Sequence, residues 1–173
     1  MSGGGGIATL IVPADCQWED AGDPVSPRSP AGAHDVPADA VEATAKTLAS
    51  HEPTVLLLGG AALSEPGLRA AGRIAAATGC ALITEKTPAR VERGGDLPTV
   101  RKLPYLPEHA VAALAPYRHL VLVGAPSPVT FFGYPDTPSS EVPADTAVTV
   151  LAEPEQDVVG ALERLADELG APA

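Results

Sequence analysis

Aromatic side chains are scarce in this chain: one Trp, three Tyr and two Phe make up 3% of its 173 residues. A core without them must be packed from Val, Leu and Ala, and Ala alone fills 31 positions. With 45% hydrophobic residues there is still enough apolar material for one domain. Basic residues are also few: 11 Lys and Arg stand against 22 Asp and Glu, for a net charge of −11. Such a surface repels nucleic-acid phosphates and anionic lipid headgroups, which argues against both as partners. No apolar run reaches the roughly 18–20 residues that span a bilayer, so a membrane protein is not expected. Cysteine is limited to Cys16 and Cys80, two isolated thiols with neither a zinc pattern nor a disulfide framework. They point to a reducing, cytoplasmic setting. No basic region precedes the short apolar run Ile7–Val12, so no secretion signal is expected.

Proline and glycine, by contrast, are plentiful, at 19 and 17 residues. They punctuate the chain unevenly. Ile7–Val12 reads as a buried strand that stops at Pro13. From Pro13 to Pro37 the chain turns polar, with Pro24, Pro27 and Pro30 between, which reads as an extended interdomain linker. A strand, a linker and then a domain is an unusual opening, and it hints that the strand belongs to something larger. The remainder alternates. Helices are predicted over Asp39–Ser50, from Ser64 as cap to Gly79 as stop, over Pro107–Ala115, and over Glu153–Leu169. Between them lie Val55–Leu58, Ala81–Thr84, a short strand at Arg101–Leu103, Leu120–Val123 and Ala147–Leu151. The continuous apolar runs among them mark strands buried on both faces. The alternation predicts an α/β fold: a Rossmann-like, doubly wound, mostly parallel sheet with helices on both faces. Ala125–Thr146 resists this pattern; five prolines make it a long loop, with a helical turn expected around Val129–Phe132.

Few residues suggest chemistry. Gly59 and Gly60 follow a strand and precede a helix, where an open α/β sheet binds phosphates, and Gly124 ends the strand across the same crevice. These three are the candidate cofactor-binding residues, for ADP or FAD. The full glycine fingerprint is absent, and a tight strand-to-helix turn is the simpler explanation of the pair. His34, His51, His109 and His119 are scattered without ligand spacing, so no metal site is predicted. Ser64 lacks the context of a nucleophile, and neither cysteine has a base beside it in sequence, so no catalytic residue is predicted. Glu85, Lys86, Arg90, Glu92 and Arg93 form a mixed-charge cluster, read as an ion-pair patch or an anion site. Phe131, Phe132 and Tyr134 gather in the Pro-rich loop, and Tyr105 lies in Leu103-Pro-Tyr-Leu-Pro107. They read either as a docking surface or as the loop's own small core.

Three segments carry a family resemblance: Ala8-Thr-Leu-Ile-Val-Pro-Ala-Asp15, Glu52-Pro-Thr-Val-Leu-Leu-Leu-Gly-Gly60 and Gly124-Ala-Pro-Ser-Pro-Val-Thr-Phe-Phe-Gly-Tyr-Pro135. Together they resemble thiamine diphosphate-dependent enzymes, in particular the acetolactate synthase large subunit, with benzoylformate decarboxylase as a relative. The resemblance runs from Ile7 to about Leu169 and falls on the central domain of those enzymes. It implies that residues 1–12 hold the last strand of a pyrimidine-binding domain, that 13–37 are the linker, and that 38–173 are the Rossmann-like central domain. In that family a glutamate of the pyrimidine-binding domain activates the cofactor. A Gly-Asp-Gly…Asn motif of the pyrophosphate-binding domain holds Mg²⁺ and the diphosphate. Neither is in this chain; Gly94-Gly95-Asp96-Leu97 is the nearest approach, in another context. The central domain of some members binds FAD or ADP, and that of many binds nothing. The resemblance therefore implies a non-catalytic, structural and oligomerisation domain of an enzyme acting on 2-keto acids. Its expected partners are the pyrimidine- and pyrophosphate-binding domains, on the same chain or a split subunit, in a homo-oligomer. Thiamine diphosphate and Mg²⁺ would then enter only through those other domains. The alternative is a free-standing nucleotide-binding module.

Overall fold

A computed structural model describes residues 9–27, 32–133 and 135–172. Helix α1 (Ala38–Ala49) leads into strand β1 (Thr54–Leu58), then α2 (Glu65–Thr78) and β2 (Ala81–Thr84). Next come β3 (Arg101–Lys102), α3 (Pro107–Leu114), β4 (His119–Val123), β5 (Ala147–Ala152) and α4 (Val158–Glu168). The five strands form one sheet in the order β3-β2-β1-β4-β5, and every pairing is parallel. This is the doubly wound arrangement that the alternation predicts.

β1 lies at the centre, with Leu56 opposite Leu82 on one side and Val121 on the other. All five of its residues are buried. That is why it reads as an unbroken apolar run rather than an alternating one. Leu56, Leu58, Val121 and Val123 pack with Leu151 against α1, α2 and α4. Val55, Leu57, Leu120 and Leu122 pack with Ile83 against α3 through Ala110 and Leu114. Helices therefore cover both faces, three on one side and one on the other. Burying each of these leucines contributes about 1.5–3 kcal/mol relative to leaving it in water.

The second face lacks a helix where a doubly wound fold would place one. β4 and β5 run parallel, so the chain must return the length of the sheet between them. It does so through the irregular segment 124–146. Ala125 and Val142 of that segment pack into the second core. The expected helical turn around Val129–Phe132 does not form. Val129 instead makes an antiparallel bridge with Ser140, and the Thr130 amide donates to the Ser139 carbonyl at 2.8 Å. Pairing with Ser139 and Ser140 takes up the backbone of Val129 and Thr130 that a helical turn would use.

Other boundaries shift for local reasons. Gly79 closes α2 with φ +76°, in the left-handed conformation that glycine adopts without strain. Ser64 precedes α2 but does not cap it; its hydroxyl donates back to the Ala61 carbonyl at 2.7 Å. α4 begins at Val158 rather than Glu153. Residues 153–156 close a turn of their own, in which Gln156 accepts from the Glu153 amide at 2.7 Å. Of the expected strand at Ile7–Val12, Ile7 and Ala8 lie outside the described residues, as do Pro30 and Tyr134. Thr9–Val12 form no strand, and Leu10 and Ile11 are exposed. No neighbouring strand among the described residues satisfies their backbone, and an unpaired strand is not stable in water. Residues 13–27 are exposed throughout, with a short 3₁₀ turn at Asp15–Gln17. The chain rejoins the domain at His34, which bridges to Gln156, and at buried Val36.

The start of α4 rests on one side chain. Asp157 accepts a hydrogen bond from the Gly160 amide at 3.0 Å and satisfies a donor that the helix itself cannot. We expect Asp157→Ala to cost about 1 kcal/mol. Urea denaturation checks this, as a lower midpoint at unchanged slope.

Candidate functional site

The structure brings Gly59, Gly60 and Gly124 together at the carboxyl ends of β1 and β4, as their places in the sequence suggest. What joins them is backbone. The Gly59 amide donates to the Val123 carbonyl at 3.0 Å, and the Gly124 amide donates to the Ala152 carbonyl at 2.8 Å. A Cβ built on Gly59 would stand 2.6 Å from the Gly124 oxygen, and one on Gly124 would stand 2.9 Å from the Gly59 oxygen. Gly124 also has φ +64°. The glycines are needed for two loops to touch, which explains their residue type without a ligand.

The N-terminus of α2 is the place where a nucleotide phosphate would meet free amides. Here a carboxylate of the same chain occupies it. Glu92 accepts from the Glu65 amide at 2.5 Å, while its own amide donates to the Leu63 carbonyl at 3.0 Å. Arg90 pairs with Glu92 at 2.8 Å. Beside it Arg69 grips Asp96 through two parallel bonds of 2.8 Å and also reaches Glu65 at 3.0 Å. The hydrogen bonds to Asp96 and then to Glu65 raise the Arg69 guanidinium above its ordinary pKa. The Arg69 hydrogen bond holds the Asp96 carboxyl below the usual carboxylate range. An open cleft of about 490 Å³ is lined by these groups and Arg93. Its charges are largely spent on each other, so it offers little net field to an anion.

The mixed-charge cluster of the sequence therefore divides. Arg90 and Glu92 go to the helix end, while Lys86 turns the other way. Its ammonium pairs with Glu141 and also donates to the carbonyls of Tyr105 at 3.3 Å and Val129 at 3.4 Å. The Lys86 side chain is 12% exposed and that of Glu141 is 0% exposed, so the pair is largely shielded from water. The second Glu141 oxygen, Oε2, has no hydrogen-bond partner among the described residues. Nothing local in the sequence marks Glu141. It sits 55 positions from Lys86, and only the return path of 124–146 brings the two together. Lys86 also lines a small cleft of about 140 Å³, walled mainly by Leu57, Leu103, Tyr105, Pro126 and Phe131.

The aromatic residues do not form a private core for the loop. Phe131 and Phe132 meet edge to face with centroids 4.9 Å apart, Tyr105 lies 6.1 Å from Phe131, and all three are exposed. The histidines stay apart. His119 pairs with Glu52 at 2.7 Å, His109 lies on the exposed side of α3, and His34 bridges to Gln156. Among the described residues no group of three His, Cys, Asp or Glu could hold a metal ion. Cys80 is buried, which pushes its thiol up, away from the reactive thiolate.

Two outcomes follow from these pairs. Lys86→Met leaves a buried carboxylate alone and is expected to cost about 3–5 kcal/mol, while Lys86→Met with Glu141→Leu recovers only part of that loss, because the carbonyls of Tyr105 and Val129 still lack their donor. A double-mutant cycle in urea measures both. For Asp96 the folded pKa is depressed, so its contribution is complete above the ordinary carboxylate pKa of about 4 and is lost as pH falls through the lower folded value. NMR titration should place the Asp96 midpoint below the ordinary carboxylate range, and Arg69→Gln should bring it back toward that range.

No family model matches the chain. A Mycobacterium tuberculosis (strain H37Rv) protein, IlvX, assigned by name to the acetolactate synthase large subunits, is 48% identical over 166 residues. That match covers 96% of this chain and 32% of the relative. A solved structure of a Mycobacterium smegmatis protein described as thiamin diphosphate-dependent matches with TM-score 0.61 at 23% identity, over 87% of this chain and 31% of the other. The Rhodococcus jostii RHA1 thiamine diphosphate-dependent 4-hydroxybenzoylformate decarboxylase matches with TM-score 0.63 at 20% identity, over 84% and 30%. The chain shares its fold with one segment of those enzymes, and it spans about a third of the length of the curated relative whose sequence it resembles over nearly its own whole length.

Proposed function

We propose that this chain is the non-catalytic central domain of an acetolactate synthase-like, thiamine diphosphate-dependent enzyme acting on 2-keto acids. One observation carries the reading: the match covers 96% of this chain but only 32% of the relative. The domain spaces and orients the flanking pyrimidine- and pyrophosphate-binding domains and contributes contacts to a homo-oligomer. Residues 1–12 belong to the preceding domain, where Leu10 and Ile11 find the strand neighbours they lack here. Residues 13–37 form the connecting linker.

The residues of this chain do not fit thiamine diphosphate and Mg²⁺. Among the described residues no carboxylate cluster could hold the metal, and the free helix N-terminus that a diphosphate needs is held by the Glu92 carboxylate. Those groups belong to the flanking domains of the parent enzyme. The second reading, an ADP- or FAD-binding module built on Gly59, Gly60 and Gly124, meets the same obstacle. The close approach of the Gly59 and Gly124 backbones accounts for both glycines without a ligand, which favours the first reading.

The size of the native polypeptide tests the reading. An immunoblot of source cells with an antibody to this domain should show a band several-fold larger, about three domains' worth. A 17.5 kDa band with no partner bearing thiamine diphosphate would sink it. The purified chain is expected to show no turnover of pyruvate with thiamine diphosphate and Mg²⁺, and no calorimetric signal with ADP.

A further inference from the structure

The apolar surface of the Pro-rich segment is presented rather than left over. Phe131 is 69% exposed, Val129 58%, Phe132 53%, Tyr105 46% and Leu106 43%. The backbone beneath them is fixed. The Val129 carbonyl accepts from the Lys86 ammonium, and the Thr130 amide and hydroxyl donate to the Ser139 and Pro138 carbonyls at 2.8 Å each. Phe131 forms part of the wall of the 140 Å³ cleft while keeping most of its ring outside. A rigid loop that holds contiguous apolar side chains in water marks a surface that another protein covers.

We infer that this aromatic knob is the docking face for a flanking domain tethered to this one, a domain that offers an apolar hollow to Phe131 and Phe132. The inference rests on the central-domain reading and specifies its contact. Size is consistent with such an occupant. Five side chains at these exposures present on the order of 500 Å². A free-standing interface buries about 800 Å² per partner, whereas interdomain interfaces within a chain bury roughly 600–1,500 Å² in total, half of it on each side. The knob falls within the share that an interdomain interface buries on each side. A tether supplies an effective concentration of order millimolar, so a contact of this size suffices. The relative has two thirds of its length beyond the matched segment, which is ample chain to supply the hollow.

The test uses a graft in which this chain replaces its matching 166 residues in the Mycobacterium tuberculosis relative. Hydrogen exchange at the amides of Phe131, Phe132 and Gly133 is compared between the graft and the 173-residue chain alone. At least tenfold slower exchange in the graft is expected, reversed by Phe131→Ser with Phe132→Ser, a change that leaves the melting temperature of the isolated chain unaltered. Equal exchange in a folded, monodisperse graft overturns the docking face and leaves the central-domain reading standing. A graft that fails to assemble where the relative itself assembles removes that reading and the docking face with it. Protection that grows with concentration in the isolated chain assigns the knob to a second copy and overturns the inference as well.

Discussion

Val55, Leu56, Leu57 and Leu58 have no exposed surface, so the sheet that carries them must be covered on both sides. On one side α1, α2 and α4 do this through small and branched side chains that let the helices lie close. On the other side α3 stands alone, and the segment between β4 and β5 takes the place of a second helix. A helix satisfies its own backbone, but a proline-rich chain cannot, and it needs to be held by something else. The Lys86–Glu141 pair holds it. The cost of shielding both charges from water is offset only because the ammonium also serves the carbonyls of Tyr105 and Val129, so that one cation ties separate stretches of chain together.

That arrangement also explains where the aromatic residues stand. Phe131 and Phe132 stand outside the main core. Val, Leu and Ala already fill it, with Leu57, Leu120 and Leu122 occupying the space beneath the segment. Thr130 is tied to the carbonyls of Pro138 and Ser139, and the turn so closed leaves the two rings that follow it on the outside.

Much of this was legible in the sequence, and for a definite reason. Continuous apolar runs such as Val55–Leu58 and Leu120–Val123 occur where a strand is buried on both faces, and Gly79 stands where a helix must turn into the left-handed region. These features are local, so local pattern reveals them. The capping of α2 was not legible. Ser64 sits in the right place, yet a glutamate 27 residues beyond Glu65 satisfies the helix end, because the loop after β2 folds back across it. Glu141 was equally hidden. A carboxylate at that position looks like ordinary loop surface until the return path of 124–146 buries it against Lys86. The start of α4 was misjudged because residues 153–156 close a tight turn with their own side chain. In each case the deciding contact spans the fold or competes with the helix, and propensity gives no sign of it.

The chain's own groups meet at the carboxyl ends of the central strands. The backbones of Gly59 and Gly124 approach closely, and the Glu92 carboxylate accepts from the Glu65 amide at the start of α2. These contacts add rigidity. Glu92 is joined to Arg90, Arg69 to Asp96 and Glu65, and the loop after β2 is thereby fixed to the helix it crosses. A ligand site needs amides left free and room for a guest. A spacer needs the opposite, because its worth lies in holding two other bodies at a constant distance. In this domain the groups at the helix end are joined to one another, while the rings of Phe131 and Phe132 are held out in water.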